Sequence, residues 1–406
     1  MKPYALFSGI LCTIPLLASP LTTDPAANQV LQTLDNAYAR IKRVELDNGL
    51  RLVVLPEPTA PTVAIRILVA CGSTTEGQWL GGGLSHGLEH MVFKGTPTRP
   101  KEQFTRELAE AGGSINAYTS TDQTVFHLSL PSRHWKFGLE ALSDAVFNCT
   151  LPADTWRTEQ EVIVREMAMG KDNPGRCLYR AAMENLYTLH PRRVPVIGYE
   201  SCFRAMDADT LRRYHRSHYI PEKTILAIAG AVDADEVESE VRRLMGGLPR
   251  GVPTVATEPF EPAIAVPRFR TVYKDGLAQG RVMRLWHTVP ETHPDAPALE
   301  LLSAWLSCGR KGRLVERIKE RRSLATSIAG YCQFYADSGY FGLYASFDPS
   351  RRAELLEAID SELAALMDDL PSEAELFRLR RQFIVSTLRQ FDDMMSLCET
   401  VMDSEF

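Results

Sequence analysis

The chain has 406 residues, 45% hydrophobic and 24% charged, with 45 Lys and Arg against 51 Asp and Glu for a formal net charge of −6. That balance excludes disorder, collagen and a coiled coil as the main architecture and leaves apolar material for two or three packed domains. The acidic excess also excludes a general nucleic-acid binder, which needs a clustered basic surface.

Lys2 precedes an apolar run from Tyr4 to Ala18, and polar residues follow from Thr22. A basic start with an apolar run too short for an ordinary span reads as a signal peptide over 1–21, with a buried N-terminal helix as the alternative. The expectation is a periplasmic or secreted protein with no stable membrane span. Residues 22–43 read as a polar lead-in. The eight cysteines include no Cys-x-x-Cys pair, so neither a zinc ribbon nor a redox motif is indicated. They read mostly as buried free thiols, with disulfides left open.

Residues 44–56, VELDNGLRLVVLP, place Asn48-Gly49 between apolar alternations, a hairpin signal. Strands are expected at 63–69, 124–130 and 224–230. Helices are expected at 84–93, 101–111, 134–147, from Pro152 to about 169, and at 234–245. Gly112-Gly113 stops the second of these, as helix C-termini prefer. Residues 250–267, following Pro249, carry Pro253, Pro259, Pro262 and Pro267 without periodicity and read as a stiff linker. Beyond it, strands are expected at 281–287, 326–333 and 340–347, and helices at 296–307, 353–367 and 373–390. Strands and helices in this mixed order predict α+β layers rather than a doubly wound sheet.

The first helix carries His86-Gly87-Leu88-Glu89-His90. Histidines at i and i+4 lie one turn apart on one helical face, so both imidazoles can reach one zinc ion. Glu89 points to the same side, which makes this the inverted zinc-hydrolase signature. Five residues are a weak signal alone, and two histidines on an amphipathic helix are the bland alternative. A third ligand has to come from another element. The helix after Pro152 offers Glu159 and Glu166, seven apart and on one face.

Residues 44–249 resemble the zinc-bearing domain of the M16 peptidase family. The matching segments are LDNGLRLVVLPEP, CGSTTEG, GGGLSHGLEHMVFKGT, GGSINAYTSTDQT, TEQEVIVREM, VIGYES and RRYHRSHYIPEKTILAIAGAVD, in family order and spacing. Ser85 and Gly87 stand where the family usually has Ala and Phe. The resemblance implies two related α/β sandwich domains of the processing-peptidase type, at 44–249 and 268–406. It implies that His86, His90 and Glu166 are ligands of one zinc ion per chain. It further implies that Glu89 is the general base, that Glu159 is a nearby helper carboxylate, and that Asn116 and Ala117 hold the substrate backbone. The implied activity is zinc-dependent endopeptidase action on extended or unfolded peptides bound as an added strand. A non-catalytic scaffold subunit is the alternative.

Two departures stand out. Family members carry an Arg and, seven residues on, a Tyr that reach the substrate from the second domain. Here those positions hold Lys319 and Thr326 in the stretch Ile318-Lys319-Glu320-Arg321-Arg322-Ser323-Leu324-Ala325-Thr326. Lys cannot make the forked contact of Arg. The expected partner is therefore an M16-like chain supplying an Arg/Tyr pair, or a second copy in a homodimer. The second departure is length: 268–406 is expected to be a shortened domain without a counterpart of the Leu211–Leu248 stretch, with a truncated sequence and an incomplete domain as the two alternatives.

Overall fold

The computed structural model describes residues 38–251, 261–390 and 393–406, together with Gln32 and Asn36. The expected signal peptide, most of the lead-in and the middle of the proline-rich stretch lie outside the described residues. Two compact units result. The first gathers Gln32–Gly170, Leu189–Phe260 and Arg389–Phe406; the second gathers Lys171–Thr188 and Glu261–Leu388.

The first unit is built on a six-stranded sheet of β1 (Lys42–Glu45), β2 (Arg51–Pro56), β3 (Thr62–Val69), β4 (Ser114–Thr119), β5 (Thr124–Pro131) and β6 (Thr224–Gly230). Their order is β1-β2-β6-β3-β5-β4, so β4 forms one edge. Only β2 and β6 pair in parallel. The hairpin expected at Asn48-Gly49 is present, with Lys42 opposite Val54 and Glu45 opposite Arg51.

Alternation along the central strands feeds two apolar layers. Val63, Ile65, Ile67 and Val69 of β3 face one core with Leu226 and Ile228 of β6, while Ala64, Leu68, Ile225 and Ala227 face the other. A sheet buried on both faces needs cover on both. The first face carries helices α1 (Leu84–Met91), α2 (Gln103–Glu110), α3 (Trp135–Asn148) and α4 (Ala153–Asp172). The opposite face is covered by the helix Met394–Asp403, whose Leu397, Cys398, Val401 and Met402 form one buried stripe. Arg66 of β3 also points to this face and is 1% exposed. Its guanidinium donates to Glu399 Oε1 at 2.8 Å and to Tyr118 Oη at 3.3 Å, the kind of pairing that lets a buried charge be tolerated.

In the second unit, β7 (Gly280–Thr288), β8 (Ser327–Phe334) and β9 (Gly339–Phe347) make an antiparallel sheet ordered β7-β9-β8. That order repeats β3-β5-β4 of the first unit, as expected of related domains. The second sheet has three strands among the described residues, against six in the first. Its core joins Trp305, Leu306, Leu314, Ile318, Leu343 and Ile359.

The division expected from the proline-rich stretch follows the chain; the compact units interleave along it. The segment from Lys171 to Thr188 belongs to the second unit, and the final helix to the first. The linker's composition marks a break in periodicity, but which sheet a helix covers depends on which apolar face is open. Strand β4 and the helices Pro174–Leu186, Ala208–His218 and Met394–Asp403 are not among the expected elements. All seven cysteines among the described residues are free, but only Cys71 and Cys398 are fully buried. Among the described residues no helix is long and apolar enough to cross a membrane.

Candidate metal centre

Helix α1 buries Leu84, Leu88 and Met91, a stripe at i, i+4 and i+7, against the sheet. The same spacing turns His86, Glu89 and His90 to the half-buried side. Helix α4 buries Trp156, Glu159, Ile163 and Met167 on one face, which carries Glu159 and Glu166 toward α1. Glu166 Oε2 lies 3.7 Å from the Nε2 atoms of both His86 and His90. The three ligand atoms lie within 4.8 Å of one another, the one such group of three or more His, Cys, Asp or Glu among the described residues. Ligands about 2.0–2.2 Å from a tetrahedral zinc ion stand about 3.4 Å apart, and the two distances to Glu166 exceed that by a few tenths of an ångström.

The surrounding hydrogen bonds suit the same task. His90 Nδ1 meets Glu159 Oε1 at 3.0 Å. A ring that donates from Nδ1 keeps the Nε2 lone pair free for a metal. Lys94 Nζ stands 3.0 Å from the other Glu159 oxygen. Burial opposes ionisation of Glu159, but the hydrogen bonds from His90 and Lys94 outweigh it and hold the carboxyl below its ordinary range. For His86, burial and the neighbouring His90 push the imidazole down to about 3, so it is neutral and able to ligate at neutral pH. Glu89 is raised above the usual carboxylate range, mainly by burial; the Thr119 hydroxyl, which donates to Glu89 Oε2 at 2.6 Å, works against that rise. A carboxylate with one oxygen held and the other unclaimed by Thr119 is a fixed base.

A cleft of about 350 Å³ opens beside these groups, lined by Glu89, His90, Glu159, Ile115, Asn116 and Ala117 among others. Its far wall is the edge strand β4. Asn116 is exposed, and its Oδ1 accepts the Ala117 N–H at 2.9 Å. A larger cleft of about 460 Å³ shares none of these residues. Its Arg99 is already neutralised by Glu107, Glu140 and Asp144.

The site residues expected from the sequence in the first unit fall on α1, α4 and β4; Glu89, His90, Glu159, Asn116 and Ala117 line the cleft, and His86 and Glu166 stand beside His90. Lys319 and Thr326 belong to the second unit. Thr326 uses its hydroxyl and its N–H on the Ser346 carbonyl, at 3.1 and 2.8 Å. Sequence reasoning misses Thr119 and Lys94. Thr119 shares a strand face with Ala117, a relation visible only once 114–119 is known to be a strand.

Gly87, where the family usually has Phe, has a structural cause. A Cβ there would stand 2.7 Å from Trp156 Cη2, so the indole of α4 occupies the space beside α1. Gly87→Ala is expected to force the two helices apart, with a loss of about 1–3 kcal/mol in urea denaturation and weaker zinc binding. An unchanged midpoint together with unchanged zinc affinity would show that the contact yields freely.

Residues 51–198 match the family described as Insulinase (Peptidase family M16), and residues 205–383 match that described as Peptidase M16 inactive domain. An uncharacterised zinc protease of Mycobacterium leprae is 30% identical over 342 residues, covering 83% of this chain and 76% of that relative. One from Bacillus subtilis is 28% identical, covering 84% of this chain and 82% of the relative. Among solved structures, a protease from Helicobacter pylori shares the fold with a TM-score of 0.83 at 23% identity, covering 90% of this chain and 89% of that one.

Proposed function

The chain belongs to peptidase family M16, and from that premise we propose that it is a zinc-dependent endopeptidase, or the catalytic subunit of one, acting on extended peptides. The observation that carries this reading is the convergence of His86, His90 and Glu166 on one point beside Glu89. The relatives named zinc proteases support it.

In this reading His86, His90 and Glu166 hold one zinc ion, which supplies Lewis acidity at the scissile carbonyl. Glu159 fixes the His90 tautomer through Nδ1. Glu89 accepts a proton from the attacking water at Oε1, the oxygen that Thr119 does not hold, and returns it to the leaving amine. The peptide adds to the open edge of β4, where its carbonyl displaces Asn116 Oδ1 from the Ala117 N–H. Main-chain pairing of that kind favours extended over folded substrates. The N-terminal apolar run supports action outside the cytoplasm, in the periplasm or medium.

Lys319 and Thr326 favour a second feature: dependence on a partner. Thr326 spends its hydroxyl inside its own sheet, and neither side chain has the reach or fork of an Arg/Tyr pair. A second M16-like chain, or a second copy, would then supply that pair. The test is hydrolysis of a library of unstructured peptides by the purified zinc-loaded chain, alone and mixed with candidate partners, with a chelator control. Chelator-sensitive cleavage supports the peptidase. Equal rates alone and in every mixture would sink the partner requirement. Zinc-loaded chain that cleaves nothing in any mixture would favour a scaffold role.

A further inference from the structure

Glu76 is 1% exposed, carries a carboxylate, and takes no part in the chemistry proposed above. It lies in the 3-10 segment Ser73–Trp79, and it reaches the start of α1. Its Oε2 accepts the Gly83 N–H at 3.1 Å, and its Oε1 accepts the Ser85 N–H at 3.0 Å. These are donors of the first turn, which no intrahelical carbonyl can satisfy.

The usual solution is a Ser, Thr, Asp or Asn at the N-cap itself. That solution is closed here. The N-cap is Gly83, in the left-handed region at φ 62 and ψ 30, with no side-chain cap. A Cβ on Gly83 would also stand 2.4 Å from the Ile197 carbonyl oxygen. Backbone conformation and close approach both demand glycine. The capping oxygens therefore have to come from elsewhere. Retaining a carboxylate for this has a cost: burial pushes Glu76 up to about 7 against the opposing backbone N–H groups. A second tether holds the same turn, since Ser85 Oγ meets Tyr214 Oη at 2.8 Å and Tyr214 Oη meets Cys71 Sγ at 3.1 Å.

The next residue after Ser85 is His86, and Glu89 follows less than one turn further on. The rotation and height of that first turn decide where both side chains stand relative to Glu166 on α4. We propose that Glu76 is a positioning residue for the metal centre, a capping carboxylate supplied from outside the helix that sets the frame of His86 and Glu89. The inference rests on the reading of His86, His90 and Glu166 as the metal ligands.

The test uses the full-length chain stripped of metal. Zinc affinity is measured by competition with a chromophoric chelator, well below every unfolding midpoint, and cobalt(II) spectra report ligand geometry. Glu76→Gln keeps the shape but turns an amide N–H₂ toward a backbone donor. It is expected to weaken zinc binding about ten- to a hundredfold and to alter the cobalt spectrum, as lost outer-shell contacts do. Val241→Ala is the comparator: Val241 is fully buried in the same unit on the helix Ala234–Met245, so its loss lowers stability without touching α1. It is expected to leave zinc affinity unchanged. If Glu76→Gln does not fold, Glu76→Asp, which withdraws the oxygens by one methylene, is expected to weaken binding in the same direction. A Glu76 variant that loses stability as Val241→Ala does, yet binds zinc within twofold of the unaltered chain, would overturn the proposal. An unaltered chain that binds no zinc would overturn the metal assignment beneath it instead.

Discussion

Glu89→Gln is expected to abolish peptide hydrolysis while one zinc ion per chain is retained. The substitution keeps the size of the side chain, and Thr119 can still donate to the amide oxygen as it does to Glu89 Oε2. The ligand atoms of His86, His90 and Glu166 are untouched. What disappears is the proton acceptor. A positioned general base contributes about 10²–10⁴-fold, so kcat should fall by that factor, equivalent to about 3–5 kcal/mol of barrier. KM should change little, because the edge of β4 is unaltered. Metal analysis beside steady-state kinetics on one preparation checks both halves. Activity within tenfold of the unaltered chain would remove Glu89 from the role of base.

Replacing a ligand should act the other way round, on metal first. Glu166→Gln and His90→Ala are each expected to reduce bound zinc from one per chain to near zero after dialysis. The loss should exceed the 10–100-fold that outer-shell changes cause. Stability supplies a second readout. A ligand that binds only the folded state stabilises it by about 2.7 kcal/mol at a hundred times its Kd. Added zinc should therefore raise the unfolding midpoint of the unaltered chain and leave the ligand variants unmoved. Because Glu166 sits on α4 and the histidines on α1, zinc also adds a tie between two helices that already meet at Gly87 and Trp156 and through His90 and Glu159. A Glu166→Gln chain that still bound one zinc tightly would place the third ligand elsewhere.

Much of the candidate site is legible in the amino-acid sequence. The i, i+4 histidines and Glu89 follow from helical periodicity, and Leu84, Leu88 and Met91 say which face is buried. Periodicity also puts Glu159 and Glu166 on one face of α4. It does not say that this face meets α1; the family resemblance supplies that. Strand β4 escapes because Ser114-Ile115-Asn116-Ala117-Tyr118-Thr119 is an edge, polar and half-exposed, without the apolar run that reveals β3 or β6. Its functional partner Thr119 escapes with it. Glu76 lies in the matching segment CGSTTEG, but no spacing marks it as a cap for α1, since its contacts with Gly83 and Ser85 close across an irregular loop.

Residue order alone carries the chemistry available and the elements that bear it: the α1 motif, the acidic face of α4 and the central strands; the departures at Lys319 and Thr326 stand out only against the family resemblance. The motif, the acidic face and the strands are properties of spacing along one chain segment, where period 3.6 or 2 converts position into direction. What meets what is settled in three dimensions. The tertiary structure brought Glu166 to within 3.7 Å of both histidines, set Thr119 against Glu89, and filled the space beside Gly87 with Trp156. It also sent the helix Met394–Asp403 back to the first sheet. The physical reason is common to all four. Burial rewards any complementary apolar face wherever it lies in the chain, and a buried polar group must find a partner in space, so neither choice is written in sequence distance.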